Sequence, residues 1–261
     1  MEKKLAAFEK LLDIMDELRE KCPWDKKQTF ETLRNLTIEE TYELADAISQ
    51  GNMEEVKNEL GDLLLHIVFY SRIGSEEEHF DITDVINSIN RKLVSRHPHV
   101  FGKVKAENEE EVKSNWEHLK LKDTDKKLLS GVPASLPSLI KAKRIQEKVR
   151  GVGFDWEHKE EIWEKIIEEV VELSYEIDKS DKPLAESEFG DLLFSIVNAG
   201  RLYGIDPENA LEKTNQEFMR RFSYIEEKTT EAGKSLGEMT LDEMNQLWEE
   251  AKKFNKNNPE K

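Results

Sequence analysis

A single cysteine, Cys22, excludes an internal disulfide and fits a reducing compartment. Only 12 glycines and 7 prolines punctuate 261 residues, too few for a turn-rich β architecture. No apolar run approaches the roughly 18 residues that cross a bilayer, and the first 21 residues carry acidic groups throughout instead of a signal-peptide apolar core. The sequence therefore reads as cytoplasmic, with no membrane partner. Positive charge is also scarce, with 39 Lys and Arg against 56 Asp and Glu and a net charge of −17. Such a surface repels polyanions, so nucleic acid is excluded as a partner, while a small phosphorylated substrate needs only local neutralisation.

What remains is helical periodicity. Leu5, Phe8, Leu11, Leu12, Met15 and Leu18 form a stripe at spacings of three and four. A second helix is expected from Thr37 to just before Gly51. A third is expected from Met53 to Ile73, with Leu60, Leu63, Leu64, Ile67 and Val68 on its apolar face. A fourth is expected from Thr83 to the His97-Pro98 step, since proline disfavours helix in the residue before it. No segment sustains period-two alternation, so the chain is predicted to be all-α. The acidic run Glu107–Glu111 reads as a solvated helix start.

The chain is written twice. Glu39, Glu40, Glu43, Glu59, Gly61, Asp62, Leu63, Leu64, Ile67, Val68 and Arg72 recur, 129 positions later and without a gap, as Glu168, Glu169, Glu172, Glu188, Gly190, Asp191, Leu192, Leu193, Ile196, Val197 and Arg201. Looser echoes pair Trp24-Asp25 with Phe154-Asp155, Asn90 and Arg96 with Asn215 and Arg221, and Trp116-Glu117 with Trp248-Glu249. Two tandem helical domains are expected, 1–120 and 138–261, joined by a linker over 121–137 that contains SGVPASLP.

Each half carries E-E-x-x-E, fifteen residues, then E-x-x-D. Residues three or four apart share a helix face, so Glu40 with Glu43, and Glu59 with Asp62, project together. Glu43 and Glu59 each lie eight residues from Gly51, about 12 Å along antiparallel neighbours. The two pairs should face each other at one level, and Ser180 is the corresponding midpoint of the second half. Four converging carboxylates repel one another and lose solvation, and a hard divalent cation such as Mg²⁺, or Mn²⁺ in its place, relieves both. With no Cys or His in the pattern, zinc does not fit. Thr37 with Glu40 reads as a capping box, but Ile166 stands at the Thr37 position in the second half, where the helix is expected to begin near Lys159; capping does not account for Glu169.

Together with C-P-W-D at Cys22–Asp25, R-H-P-H-V-F at Arg96–Phe101 and G-V-G-F-D-W at Gly151–Trp156, these residues resemble the MazG family of nucleoside triphosphate pyrophosphohydrolases over nearly the whole chain, in its tandem form. The resemblance implies a four-helix-bundle type of fold that forms a homodimer. It also implies Mg²⁺ held by Glu40, Glu43, Glu59 and Asp62 in one half and by Glu169, Glu172, Glu188 and Asp191 in the other. Glu39 and Glu168 would position or deprotonate water, and the products would be nucleoside monophosphate and pyrophosphate. Lys92 and Arg96, and in the second half Lys165, Arg220 and Arg221, are candidates for the phosphate clamp. Glu217 stands opposite Lys92, which leaves open that one half is a non-catalytic dimerisation module. Trp24 and Trp248 are candidates for stacking on a base, against a plainer role in packing. His66 is expected to be a partly buried, hydrogen-bonded structural residue, and His97 and His99 to mark a helix end. A di-iron or di-manganese oxidase would need two Glu-x-x-His pairs on facing helices; the one such spacing is Glu76-x-x-His79, with no copy in the second half.

Overall fold

The computed structural model of the chain describes residues 1–102 and 127–256, and among these every regular element is helical. The acidic run at 107–111 and Trp116-Glu117 lie outside the described residues. The chain divides into two compact units, Met1–Val112 and Lys113–Lys261.

In the first unit α1 (Glu2–Lys21), α2 (Phe30–Ser49) and α3 (Met53–Glu76) enclose a core of Met15, Leu33, Val68, Phe69 and Ile73, while α4 (Ile82–Arg96) and the short α5 (Pro98–Phe101) follow. Each such side chain, once fully buried, contributes roughly 1.5–3 kcal/mol. Phe30 stacks on Tyr70 with ring centroids 5.7 Å apart. The expected start of α2 at Thr37 is wrong. The helix begins at Phe30, capped by a reciprocal box in which Thr29 and Thr32 each accept the other's backbone N–H. Thr37 lies inside the helix, where its hydroxyl donates to the Leu33 carbonyl (3.0 Å) and meets the Tyr70 hydroxyl (2.8 Å). Glu40 consequently has no capping role.

The stripe on α3 also divides in two. Val68 is buried in the core, but Leu60, Leu64 and Ile67 are 53, 40 and 47 % exposed. Their repeat partners Phe189, Leu193 and Ile196 are equally open. Both hairpins thus present a second apolar face.

In the second unit α6 (Ser138–Arg150), α7 (Ile162–Asp178), α8 (Lys182–Leu202), α9 (Pro207–Glu231) and α10 (Leu241–Lys256) follow one another. Ile162, Val197, Ile225 and Ala251 are its buried apolar residues of lowest exposure. Residues 128–131 form a 3₁₀ turn tied to α6, since Lys148 Nζ donates to the Leu128 carbonyl (3.1 Å). Another 3₁₀ turn, Lys159–Glu161, leads into α7, close to the expected start at Lys159.

The two hairpin turns differ in one telling residue. Gly51 sits at φ +69° and Ser180 at φ +59°, both left-handed. Glycine adopts that conformation freely, whereas a side chain there costs on the order of 1 kcal/mol. Ser180→Gly is expected to raise the melting temperature by about 2 °C, measured by calorimetry, while Gly51→Ser should lower it by a similar amount.

Candidate active site

The α2–α3 hairpin delivers Glu40 and Glu43 from one arm and Glu59 from the other, with one carboxylate oxygen of each lying within 4.8 Å of the others. Glu59 Oε2 is fully covered and has no hydrogen-bond partner. Burial first, then the charges of Asp62, Glu43 and Glu39, push the Glu40 carboxyl above its ordinary range. Glu59 rises for the same reasons, with burial again leading and Glu43 next. Asp62 therefore borders the cluster electrostatically without belonging to its closest group of three.

The α7–α8 hairpin repeats the arrangement with Glu169, Glu172 and Glu188, again within 4.8 Å. Glu169 is buried, and burial followed by Glu172, Asp191 and Glu169 raises Glu188. Lys165 reaches both Glu168 and Glu169 at 2.9 Å, and their hydrogen bonds hold its ammonium well above the usual lysine range. Glu168 is thus ion-paired with Lys165, and both Glu168 and Glu39 are exposed on their helices.

A divalent cation fits these donors. The ligands are hard oxygens only, they repel one another as built, and a buried oxygen in the first cluster lacks any donor. His66 is buried, as expected of a structural residue, but the expected hydrogen bonding is absent at Nδ1, which has no partner. Burial lowers its pKa, against the pull of Asp62, and its ring meets Tyr70 edge-on.

The candidate clamp residues are scattered more widely. Lys92 is exposed and Arg96 half-buried on α4. Arg220 and Arg221 both bind Glu217, at 2.9 and 2.6 Å. Arg220 first, with Arg221 adding to it against burial, holds the Glu217 carboxyl down at about 2. Arg221 also lies over Trp248, 5.3 Å from the ring, and Trp248 packs on Phe218. Trp248 therefore joins α9 to α10, while Trp24 is largely exposed beside a 3₁₀ turn. His97 caps the end of α4, its Nδ1 2.7 Å from the Leu93 carbonyl. Glu76 is engaged by Arg19 at the end of α3.

The MazG nucleotide pyrophosphohydrolase domain matches twice, over residues 28–101 and 157–224, so each match spans one acidic hairpin. The chain belongs to the MazG family. The nucleoside triphosphate pyrophosphohydrolase of Escherichia coli K12 is 41 % identical over 255 residues, covering 94 % of this chain and 97 % of that protein. A Thermotoga maritima protein named nucleoside triphosphate pyrophosphohydrolase/pyrophosphatase MazG is 44 % identical over 250 residues, covering 94 and 95 %. The uncharacterised Bacillus subtilis protein YabN is 45 % identical over 251 residues, which is 94 % of this chain but 51 % of its own length.

Within this MazG chain, two features of the second site escaped the repeat. Glu176, one turn beyond Glu172, has a buried Oε2 without a partner and adds to the field on Glu188. Ala47 occupies the equivalent place in the first half, so comparing the halves hides it. Arg201 clasps Asp155 with both terminal nitrogens and binds Asn198 Oδ1 (3.0 and 2.7 Å), fixing the G-V-G-F-D-W loop against α8. The matched pair of Arg201 with Arg72 and the echo of Asp155 with Asp25 were visible in the sequence, but not that one arginine would hold that aspartate.

Proposed function

We propose that this protein hydrolyses ribo- and deoxyribonucleoside triphosphates of varied base to nucleoside monophosphate and pyrophosphate, with Mg²⁺ or Mn²⁺ bound by Glu40, Glu43, Glu59 and Asp62 and by Glu169, Glu172, Glu188 and Asp191. The observation that carries this reading is the pair of three-carboxylate clusters, each drawn within 4.8 Å on its own hairpin. When bound, the cation neutralises phosphate oxygens and lowers the pKa of water. Glu39 and Glu168 orient the attacking water and take its proton as its oxygen bonds to the α-phosphorus, while the bond to the bridging oxygen breaks and pyrophosphate leaves. Lys165 steers Glu168 and meets phosphate, and Lys92 and Arg96 serve the first half. Arg220 and Arg221 contribute to the second half only by exchanging Glu217 for phosphate, an asymmetry that supports unequal activity of the two halves.

The repeats act as domains 1–120 and 138–261. The exposed faces built on Leu60, Leu64 and Ile67 and on Phe189, Leu193 and Ile196 support a homodimer. No helix among the described residues is long and apolar enough to cross a membrane, and together with the net charge of −17 this supports a cytoplasmic enzyme acting on free nucleotides.

The test is pyrophosphate release from the eight common NTPs and dNTPs. With Mg²⁺ each is expected to be cleaved, and excess EDTA should abolish turnover and lower the melting temperature. Failure of every nucleotide would overturn the reading.

A further inference from the structure

A cavity of about 560 Å³ opens beside the second acidic cluster, and Glu169, Asp191 and Lys165 line it together with Gln146 of α6. That volume is within the range of small-molecule sites. The repeat shows why there is room. Ser195, which lines the cavity, and the neighbouring Asn198 and Ala199 occupy the places held in the first half by His66, Phe69 and Tyr70. There His66 and Phe69 are buried, and Phe69 belongs to the core. Replacing three rings by three small side chains hollows α8 where α3 is filled.

Gln146 is 3 % exposed, and its two amide atoms have different fates. Nε2 donates to the Phe194 carbonyl at 2.9 Å, while Oε1 is buried without a partner. Turning the amide over would set oxygen against the Phe194 oxygen, an acceptor with nothing to donate, so the orientation is fixed. A buried acceptor left unmatched is costly, and a donor entering the cavity would relieve it.

We infer that this cavity takes the nucleoside of the substrate and that Gln146 Oε1 accepts a hydrogen bond from the base, favouring the exocyclic amine of adenine or cytosine over the keto oxygen of guanine or uracil within an otherwise tolerant site. The inference rests on the pyrophosphohydrolase function proposed above. Gln146 is a specificity residue in this scheme, since the metal ligands and Lys165 hold the triphosphate.

The experiment is calorimetric titration of the full chain carrying Glu43→Gln, which leaves the second cluster intact, using α,β-methylene analogues of ATP, CTP, GTP and UTP and, as a probe without a nucleoside, inorganic tripolyphosphate with Mg²⁺. Gln146→Met preserves volume and removes the acceptor. It should weaken the adenine and cytosine analogues about tenfold, the loss of one hydrogen bond to a buried partner, and the guanine and uracil analogues less than threefold. Ser195→His, which leaves the Gln146 amide untouched and restores the first half's side chain, should weaken all four analogues more than tenfold. Neither variant should change tripolyphosphate binding. Equal losses for all bases on Gln146→Met, a parallel loss of tripolyphosphate, or unchanged binding of the analogues by Ser195→His would overturn the inference. Those results would leave the proposed reaction standing if the wild type still released pyrophosphate.

Discussion

Replacing both Glu43 and Glu172 by glutamine in one chain is expected to reduce pyrophosphate release at least a hundredfold. Losing a residue that merely supports a metal ligand costs about 10–100-fold in affinity or activity, and these changes remove one ligand charge from each cluster with little change in volume. The single variants apportion the activity. If both hairpins turn over substrate, each keeps part of it; if one keeps all, the mutated half serves assembly. The same substitutions carry an opposite signature in stability. Glu43 raises the carboxyl pKa of Glu40 and Glu59, and Glu172 that of Glu188, so the native fold pays a repulsion that glutamine removes. In EDTA each variant should melt above the wild type, and with Mg²⁺ it should gain less than the wild type does. Calorimetry with and without Mg²⁺ checks both signs, and a variant that melts lower in EDTA would show the carboxylate to be structural.

Arg201→Met is expected to cost about 3 kcal/mol, the usual penalty for removing one partner of a buried ion pair. The Arg201 side chain is 7 % exposed and that of Asp155 20 %. Burial pushes the Asp155 carboxyl up, but the Arg201 hydrogen bonds, the Trp156 backbone and the Arg150 charge outweigh it and hold the pKa below its ordinary value. A lowered folded-state pKa means stability that is fully present above the unfolded value of about 4 and is lost as pH falls through the folded one. The deficit of Arg201→Met should therefore be large at pH 7 and shrink below pH 4. Urea unfolding at the two pH values measures it, and an equal deficit at both would refute the charge pairing as its source.

The hairpins and their acidic faces were legible because ligation demands residues at fixed intervals, and duplication printed the demand twice. Helix limits were less so. The Thr-Ile-Glu-Glu run at 37–40 imitates a capping box, and the box at Thr29 and Thr32 uses a second threonine where Glu or Gln is the usual partner. The apolar stripe of α3 revealed hydrophobicity but not its destination, since a core face and an exposed one share the same period. Gln146 lies before the ungapped block, and its importance comes from which of its amide atoms Phe194 satisfies, which only packing determines. Glu217 stands out in the sequence as the counterpart of Lys92, and its pairing with Arg220 and Arg221 uses the i+3 and i+4 spacing of a single helix.

The equal arms of each hairpin act as a ruler. One residue inserted between Glu43 and Glu59 would turn every later position of α3 by about 100° and slide it 1.5 Å, carrying Glu59 out of the cluster while moving Val68 and Ile73 out of the core. Substitutions at the turn are mild by comparison, as serine in the place of glycine already demonstrates. The turn of each hairpin should therefore accept a change of residue far more readily than a change of length.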